Sequence, residues 1–315
     1  MLSQRTKLIC LPLFAAATLL GAASNRVRLA PKFVSGQTIR YRIDSSSKST
    51  GKTTSPIVDP EGGSQSSDSV HMVVRLEVLG VSQDGNVRLR ATYERSTAES
   101  EADALDLAAG SFSGRYKRLE GRTFEFTLGP GAAITHVQDL TAAAAGQSPK
   151  TIEPALTWLL FVVSSSSLPK DGVVAGQKWR IERPIEGAVL AGLVWRGQST
   201  YLRSEPCGSS SRADSPTTDS DGCAVILTRF EITRSGRSDA TPEDYRRNGL
   251  RTSGTWTGSG ESLDSYSLST GLLVSSTQTS SQQMDYQVVS ASAGSSVHHI
   301  GKIESQSQIT LVSSP

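Results

Sequence analysis

VHMVVRLEVLGVSQDGNVRLRATYERS, residues 70–96, holds two segments in which apolar and polar residues alternate. A period of two is typical of a β-strand with one buried side and one side facing water. The segments span residues 70–81 and 86–96, and the Ser-Gln-Asp-Gly between them is typical of a hairpin turn. This stretch therefore predicts an antiparallel β-hairpin.

The same alternation recurs through much of the chain and predicts a mainly β fold. A second hairpin is indicated over residues 121–137, where Gly-Pro-Gly marks the turn. On the polar side of these strands, Ser, Thr, Gln and Arg predominate. Further strands are expected over residues 224–236, 250–260, 261–289 and 303–312.

Helical patterns are few, and only one of them is long. Residues 100–109 and 241–247 are short candidates. TIEPALTWLLFVVSSS, residues 151–166, has apolar residues at helical spacing and is apolar nearly all round, which predicts one buried helix near 151–164. A pair of core strands in the same residues is the alternative interpretation.

Two parts of the chain resemble each other at a nearly constant offset. Gly36 recurs as Gly176, 140 positions later, and FTLGPGAAI at 126–134 matches YSLSTGLLV at 266–274 with the same offset. Such matches predict an internal duplication. The predicted fold is two tandem curved antiparallel sheets, half-barrel-like, at residues 25–148 and 169–315, joined by the buried helix within residues 149–168.

The first residues have the pattern of a secretory signal peptide. Arg5 and Lys7 precede an apolar run at residues 8–21, and small residues follow that run. We therefore interpret residues 1–24 as a cleaved leader and expect an exported protein, in the periplasm or cell envelope of a bacterium. An uncleaved membrane anchor is the alternative.

Charge and cysteine content restrict the possible partners. The chain has 32 basic and 30 acidic residues, and the two charged residues of the leader are both basic. The remainder is neutral, so electrostatics give no reason to expect nucleic acid as a partner. Cys207 and Cys223 also remain, and an oxidising compartment predicts a disulfide between them. Two free thiols are the alternative.

One short segment differs by a single residue from a nucleotide-binding P-loop. SSSKSTGKTTS, residues 45–55, contains Gly-Lys-Thr, but a P-loop needs a helix to begin there. Pro56 and Pro60 follow instead, so we expect no nucleotide at this place. We interpret residues 44–69 as a polar loop, and residues 206–222 as a second one.

No motif predicts catalysis or metal binding. GSFSG, residues 110–114, has Phe where the nucleophile of a hydrolase elbow belongs. His71, His136, His298 and His299 lie in or near strand patterns, without the spacing of metal ligands. We expect no cofactor, no metal and no enzymatic activity. A catalytic constellation that only the fold assembles is a further alternative.

The organisation of the chain resembles bacterial lipoprotein carriers of the LolA/LolB type. The resemblance rests on the leader, the repeated β unit and the interleaved helices. The phrase SLPKDGVVAGQKWRIERPI at 167–185 also resembles a segment that recurs in uncharacterised secreted bacterial proteins. It implies a strongly curved antiparallel sheet, a half-barrel, whose apolar mouth is covered by short helices. Carriers acting alone have one such unit, whereas this sequence predicts two.

Two functional hypotheses follow. In the first, the protein is an extracytoplasmic binding protein that holds an apolar ligand, a lipid or lipid-like molecule, in the concave face of a sheet. The residues expected to line that site are Trp158, Leu159, Phe161, Phe124, Phe126, Trp179 and Trp256. Ordinary core packing is the alternative for each of them. In the second hypothesis, the protein is a non-enzymatic structural or interaction protein that contacts an envelope partner through Ser- and Thr-rich faces.

Overall fold

The computed structural model describes residues 26–54, 63–102, 114, 116–129, 133–144, 158–159, 162–163, 168–169, 171–185, 187–207, 221–234, 240–290 and 294–313. The predicted leader, residues 1–24, lies outside the described residues. So do residues 103–109 of the first predicted short helix, whereas residues 100–102 belong to a strand.

Eleven described strands form one continuous antiparallel sheet. Their bounds are β1 Thr38–Thr54, β2 Gly63–Val81, β3 Val87–Ala102, β4 Thr123–Leu128, β5 Ile134–Asp139, β6 Lys178–Pro184, β7 Leu193–Pro206, β8 Gly222–Arg234, β9 Leu250–Ser267, β10 Leu273–Ser290 and β11 Ser296–Ser313. Across the sheet they follow the order β5-β4-β3-β2-β1-β11-β10-β9-β8-β7-β6.

The prediction of a mainly β, antiparallel fold is confirmed, but the two tandem sheets are joined into one. β1 pairs with β2 on one side and with β11 on the other, from Arg40 opposite Ser313 to Thr54 opposite His298. A sheet that ended at β1 would leave a row of backbone donors and acceptors unpaired, and β11 satisfies them. The internal duplication itself stays a prediction.

The predicted hairpin over residues 70–96 is confirmed. β2 and β3 pair from Ser66 opposite Ala102 to Val81 opposite Val87. Gly85 occupies the turn with φ +81°, a conformation that glycine adopts without steric cost. The Ser82 N–H donates to the Asn86 carbonyl oxygen at 2.9 Å and closes the hairpin.

The interpretation of residues 44–69 as a polar loop is wrong for its described part. Residues 44–54 continue β1, and residues 63–69 begin β2. From Ser45 to Lys52, β1 is paired on both sides, with β2 and with β11. Strand preference depends on such neighbours more than on the side chain itself, so a Ser- and Thr-rich segment becomes a strand between two others.

Each strand divides its side chains between two faces. On β1, Ile39, Tyr41 and Ile43 are buried on one side, which we call the apolar face, and Arg40 and Arg42 lie on the opposite, polar face. Directly opposite residues of paired antiparallel strands lie on the same side of the sheet. The register therefore carries this division from β1 across its neighbours.

Three core clusters cover the apolar face. The first lies mainly over β1–β4, the second around Tyr201 and Ile226, and the third around Leu190, Leu193 and Ile232. Residues 158, 159, 162 and 163 are helical, and Leu159 is buried against the first cluster. These four residues favour the predicted buried helix over the pair of strands. Residues 151–157 lie outside the described part of the chain.

Two of the short helices are α1 Leu140–Ala144 and α2 Glu243–Arg247. The second confirms the helix predicted at residues 241–247. Among the described residues, no helix has the length and apolar character required to cross a membrane. The predicted disulfide is present: Cys207 and Cys223 are bonded, with their Cα atoms 4.8 Å apart.

Candidate functional site

The side chains predicted to line an apolar site are distributed over the three core clusters. Phe124, Phe126 and Leu159 are fully buried in the first cluster, and Trp158 packs against it. The remaining ones are placed as follows: Trp179 lies against the second cluster, Trp256 lies against the third, and Phe161 is outside the described residues. The structure therefore does not bring the described ones together around one cavity.

In the second half of the chain, aromatic rings pack against one another and against neighbouring side chains on the apolar face. The ring of Trp195 stacks on that of Phe230 with their centroids 5.3 Å apart, and Arg183 lies 4.5 Å above Trp195. Gly260 leaves room for Phe230, since a Cβ there would lie 2.5 Å from the ring. The Trp256 indole N–H donates to Gln282 Oε1 at 3.0 Å.

An open concavity with a volume of about 1250 Å³ crosses the sheet from β6 to β2. We call it the polar trough, because most of its lining residues are polar. Its lining consists of residues 180–182, 196–198, 229–231, 259–261, 279–281, 304–306, 46–48 and Ser67. In each triplet the middle residue belongs to the apolar face, and the two flanking residues place their side chains on the polar face. The apolar face is the concave one, because Tyr266 of β9 interacts on it with both Tyr41 of β1 and Arg183 of β6. The middle side chains therefore face the trough.

The register aligns these flanking side chains in two rows across the sheet. The first row contains Arg180, Gln198, Arg229, Glu261, Thr279, Gln306 and Ser46. The second row contains Glu182, Arg196, Glu231, Ser259, Ser281, Glu304, Lys48 and Ser67. Charged residues crowd the β6–β9 side of the trough, and β10 contributes only short hydroxyl side chains to the rows.

Most charges of these two rows are paired within them or at their margin. Arg196 Nε lies 3.1 Å from Glu182 Oε2, and Arg229 Nε lies 3.7 Å from Glu261 Oε2. The Lys302 ammonium donates to Glu304 and, with Lys48 acting more weakly, lowers the pKa of that carboxyl. The Glu304 carboxylate therefore stays ionised to a lower pH than an isolated one.

Two charged residues of the rows form no ion pair. Arg180 and Glu231 are both exposed, and neither forms an ion pair or a side-chain hydrogen bond within the described part of the chain. Glu231 lies directly opposite Arg196 in the register.

Hydroxyl groups and apolar side chains face the trough together. Ser47, Ser280 and Ser305 can donate and accept hydrogen bonds, whereas Ile181 and Phe230 offer apolar surface. In the described ranges, no three His, Cys, Asp or Glu side chains are grouped so that they would hold a metal ion. Alternation in the sequence places Arg, Ser and Thr on a solvent-facing side, but no local signal indicates that the opposite side curves into a trough.

No protein-family model and no curated protein matches this sequence. A solved structure of lipovitellin, concerned with lipid–protein interactions, matches at 13% identity with a TM-score of 0.47. The match covers 90% of this chain and 26% of lipovitellin, so the chain spans about a quarter of that protein's length. The outer membrane protein OprG from Pseudomonas aeruginosa matches at 8% identity and a TM-score of 0.20, over 90% of this chain and 97% of OprG. Likeness at these levels carries no argument about function.

Proposed function

We propose that this protein is an exported, non-enzymatic binding protein that holds an elongated polar ligand in the polar trough. The observation that carries the proposal is the trough itself, about 1250 Å³ in volume and lined from β6 through β11 to β1 and β2. Pockets of this size are typical of ligand sites. The disulfide between Cys207 and Cys223 supports an oxidising compartment, as expected for an exported chain.

The shape of the polar trough favours a chain-like ligand. Eight strands at a spacing of about 4.8 Å give an arc of roughly 34 Å, whereas the two side-chain rows are only about 7 Å apart. A ligand that is long and narrow follows the line of middle residues, while a compact one leaves most of them without a contact. Three of these residues, Ser47, Ser280 and Ser305, carry hydroxyl groups, so a ligand that fits forms hydrogen bonds with them.

Blocking the trough tests this function. Ser280 lies on the apolar face of β10 and lines the trough, whereas Ser253 is exposed on the polar face of β9 outside it. We expect small peptides, oligosaccharide fragments or amino sugars to raise the melting temperature of the unmodified protein and of the Ser253→Trp control. The Ser280→Trp variant should lose that shift, because its indole occupies the trough. A screen without any stabilising polar compound, or equal shifts in both variants, would contradict the proposal.

The lipid-like ligand of the sequence hypothesis is a second candidate, favoured by one observation. The hydroxyl of Tyr41 is buried in the first cluster and has no hydrogen-bond partner among the described residues, and burial raises its pKa far above the usual range. Buried hydroxyls without a partner are costly and uncommon. The carboxylate of a fatty acid placed beneath residues 158–163 would supply the missing acceptor.

Tyr41→Phe tests the second candidate. We expect delipidated protein to bind oleate, and the variant to bind it about tenfold more weakly, because a hydrogen bond to a charged group is worth roughly 1.5–3 kcal/mol. Tyr201→Phe is the control, since the Tyr201 hydroxyl lies 2.6 Å from Ser204 Oγ in another cluster. Titration calorimetry with oleate measures both affinities. Equal affinities, or no oleate binding at all, would eliminate a site at Tyr41.

A further inference from the structure

Arg183 of β6 is a cationic side chain on the apolar face, which is the concave side of the sheet. It lies opposite Trp195 in the register, and its guanidinium lies 4.5 Å above the Trp195 ring. Trp195 in turn stacks on Phe230, which lines the polar trough. These contacts place Arg183 inside the concavity, beside the β6 end of the trough.

The guanidinium of Arg183 forms neither an ion pair nor a hydrogen bond with any of the described residues. It contacts Trp195 through its flat side, whereas its N–H donors lie in the plane of the group, so stacking leaves them unused. The acidic residues that the register places on the apolar face of the strands bond to other side chains: Asp68 to Ser100, Asp139 to Arg122, and Asp264 to Ser262 and Ser276.

The surroundings of Arg183 combine burial with access to water. The residue is exposed, yet burial lowers the pKa of its guanidinium, and the nearby Tyr266 acts more weakly in the opposite direction. A charged group with both properties faces a partly enclosed space that admits water. An anion in such a space is attracted more strongly than one at an open surface, because less water screens the two charges.

Two tyrosine hydroxyls belong to the same part of the apolar face. Tyr266 interacts electrostatically with both Arg183 and Tyr41. The Tyr41 hydroxyl is buried and has no hydrogen-bond partner among the described residues. A buried hydroxyl without a partner is costly. An anion bound among these three side chains would supply the acceptor that the Arg183 guanidinium and the Tyr41 hydroxyl both lack.

We propose that Arg183 binds the carboxylate of an anionic ligand on the apolar face, beside Tyr266 and Tyr41; this rests on the binding function proposed above. The guanidinium offers two parallel N–H donors, which match the two oxygens of a carboxylate. The body of the ligand lies along the polar trough, which offers apolar surface at Ile181 and Phe230 together with serine hydroxyls. A fatty acid and an acidic oligosaccharide are the two sources of this carboxylate chemistry.

Titration calorimetry with paired anionic and neutral probes tests the proposal. The pairs are oleate with monoolein, and trigalacturonate with its methyl ester, so the pair that binds identifies the source. We expect the unmodified protein to bind the anionic member about tenfold more tightly than the neutral one. Arg183→Gln should lose this preference, and Arg183→Lys should keep part of it, because lysine retains the charge without the paired donors. Arg251→Gln is the control, since it removes the same charge from the exposed polar face of β9, and it should keep the full preference.

The outcomes separate the anion site from the functions proposed above. Neutral probes that bind as tightly as anionic ones, a preference that survives in Arg183→Gln, or no binding of either anion would overturn the anion site. If a neutral polar compound is lost in Ser280→Trp, the trough function stands without it. If oleate binding depends on Tyr41 but not on Arg183, the lipid candidate stands without it. If neither Ser280→Trp nor Tyr41→Phe affects the binding of any compound, all of these proposals fail.

Discussion

Asp264 is a carboxyl group buried on the apolar face of β9. Its Oδ1 accepts a hydrogen bond from Ser276 Oγ at 2.6 Å, and its Oδ2 accepts one from Ser262 Oγ at 3.1 Å. Burial raises the pKa of Asp264, although the two serine hydroxyls act in the opposite direction. The folded protein therefore favours the protonated carboxyl more than the unfolded chain does.

This shift makes folding stability depend on pH. Because the pKa of Asp264 is raised in the folded state, its contribution to stability is greatest below the pKa of the unfolded chain. That contribution falls as the pH rises from the unfolded pKa towards the folded pKa. Asp264→Asn has no charge to bury, so we expect this fall to disappear. At neutral pH the variant should be more stable by on the order of 1 kcal/mol.

Urea denaturation at a series of pH values measures the effect of Asp264→Asn. Asp244→Asn is the matched control, because Asp244 is exposed in α2. The control should follow the unmodified protein at every pH. If the free energy of unfolding changed with pH in parallel for Asp264→Asn and the unmodified protein, the expectation would be wrong. The hydrogen bonds from the two serines would then offset the cost of burying the carboxylate.

At the scale of elements, sequence alternation predicts strands well where one side is apolar. The hairpin of β2 and β3 follows from Val, Leu and Met alternating with polar residues, and α2 follows from its Thr-Pro start. The outer part of β1 was missed because residues 45–54 are polar on both sides, so they give no periodic signal. Only the pairing with β2 and β11 makes them a strand, and that pairing connects residues distant in sequence.

The candidate site depends on the same distant pairing. Ile181 and Phe230 look like ordinary core residues in the sequence, because each alternates with charged neighbours such as Arg180 and Glu231. Curvature of the sheet leaves a trough beside them, and no single strand encodes this curvature. The aromatic residues that sequence analysis selected pack in or against the core clusters instead, because packing there removes their apolar surface from water.

At the scale of the whole molecule, the two halves share one sheet through β1 and β11. The predicted units at 25–148 and 169–315 would fold separately if each were a domain. In the structure, separation exposes a long strand edge on each unit, and exposed edges of this kind promote association. We therefore expect each half to depend on the other for its folding and solubility.

Separate expression of the two halves tests this dependence. We expect residues 26–148 and residues 169–313 each to be insoluble or aggregated alone, and to form a soluble one-to-one complex when they are produced together. Size-exclusion chromatography and circular dichroism measure the outcome, with the unbroken chain as reference. Two soluble monomers that unfold cooperatively on their own would instead establish two independent domains.

The pairing of β1 with β11 also determines when the sheet can be completed during folding. Tyr41 lies opposite Leu311, so this contact closes a loop of about 270 residues. Contacts so distant in sequence are formed late and slowly, because the entropy of loop closure is lost before the pairing compensates for it. Until then β1 has an open edge that other chains can extend. We infer that folding of this protein is limited by the pairing of β11 with β1, and that a newly synthesised chain is most prone to aggregate during that interval.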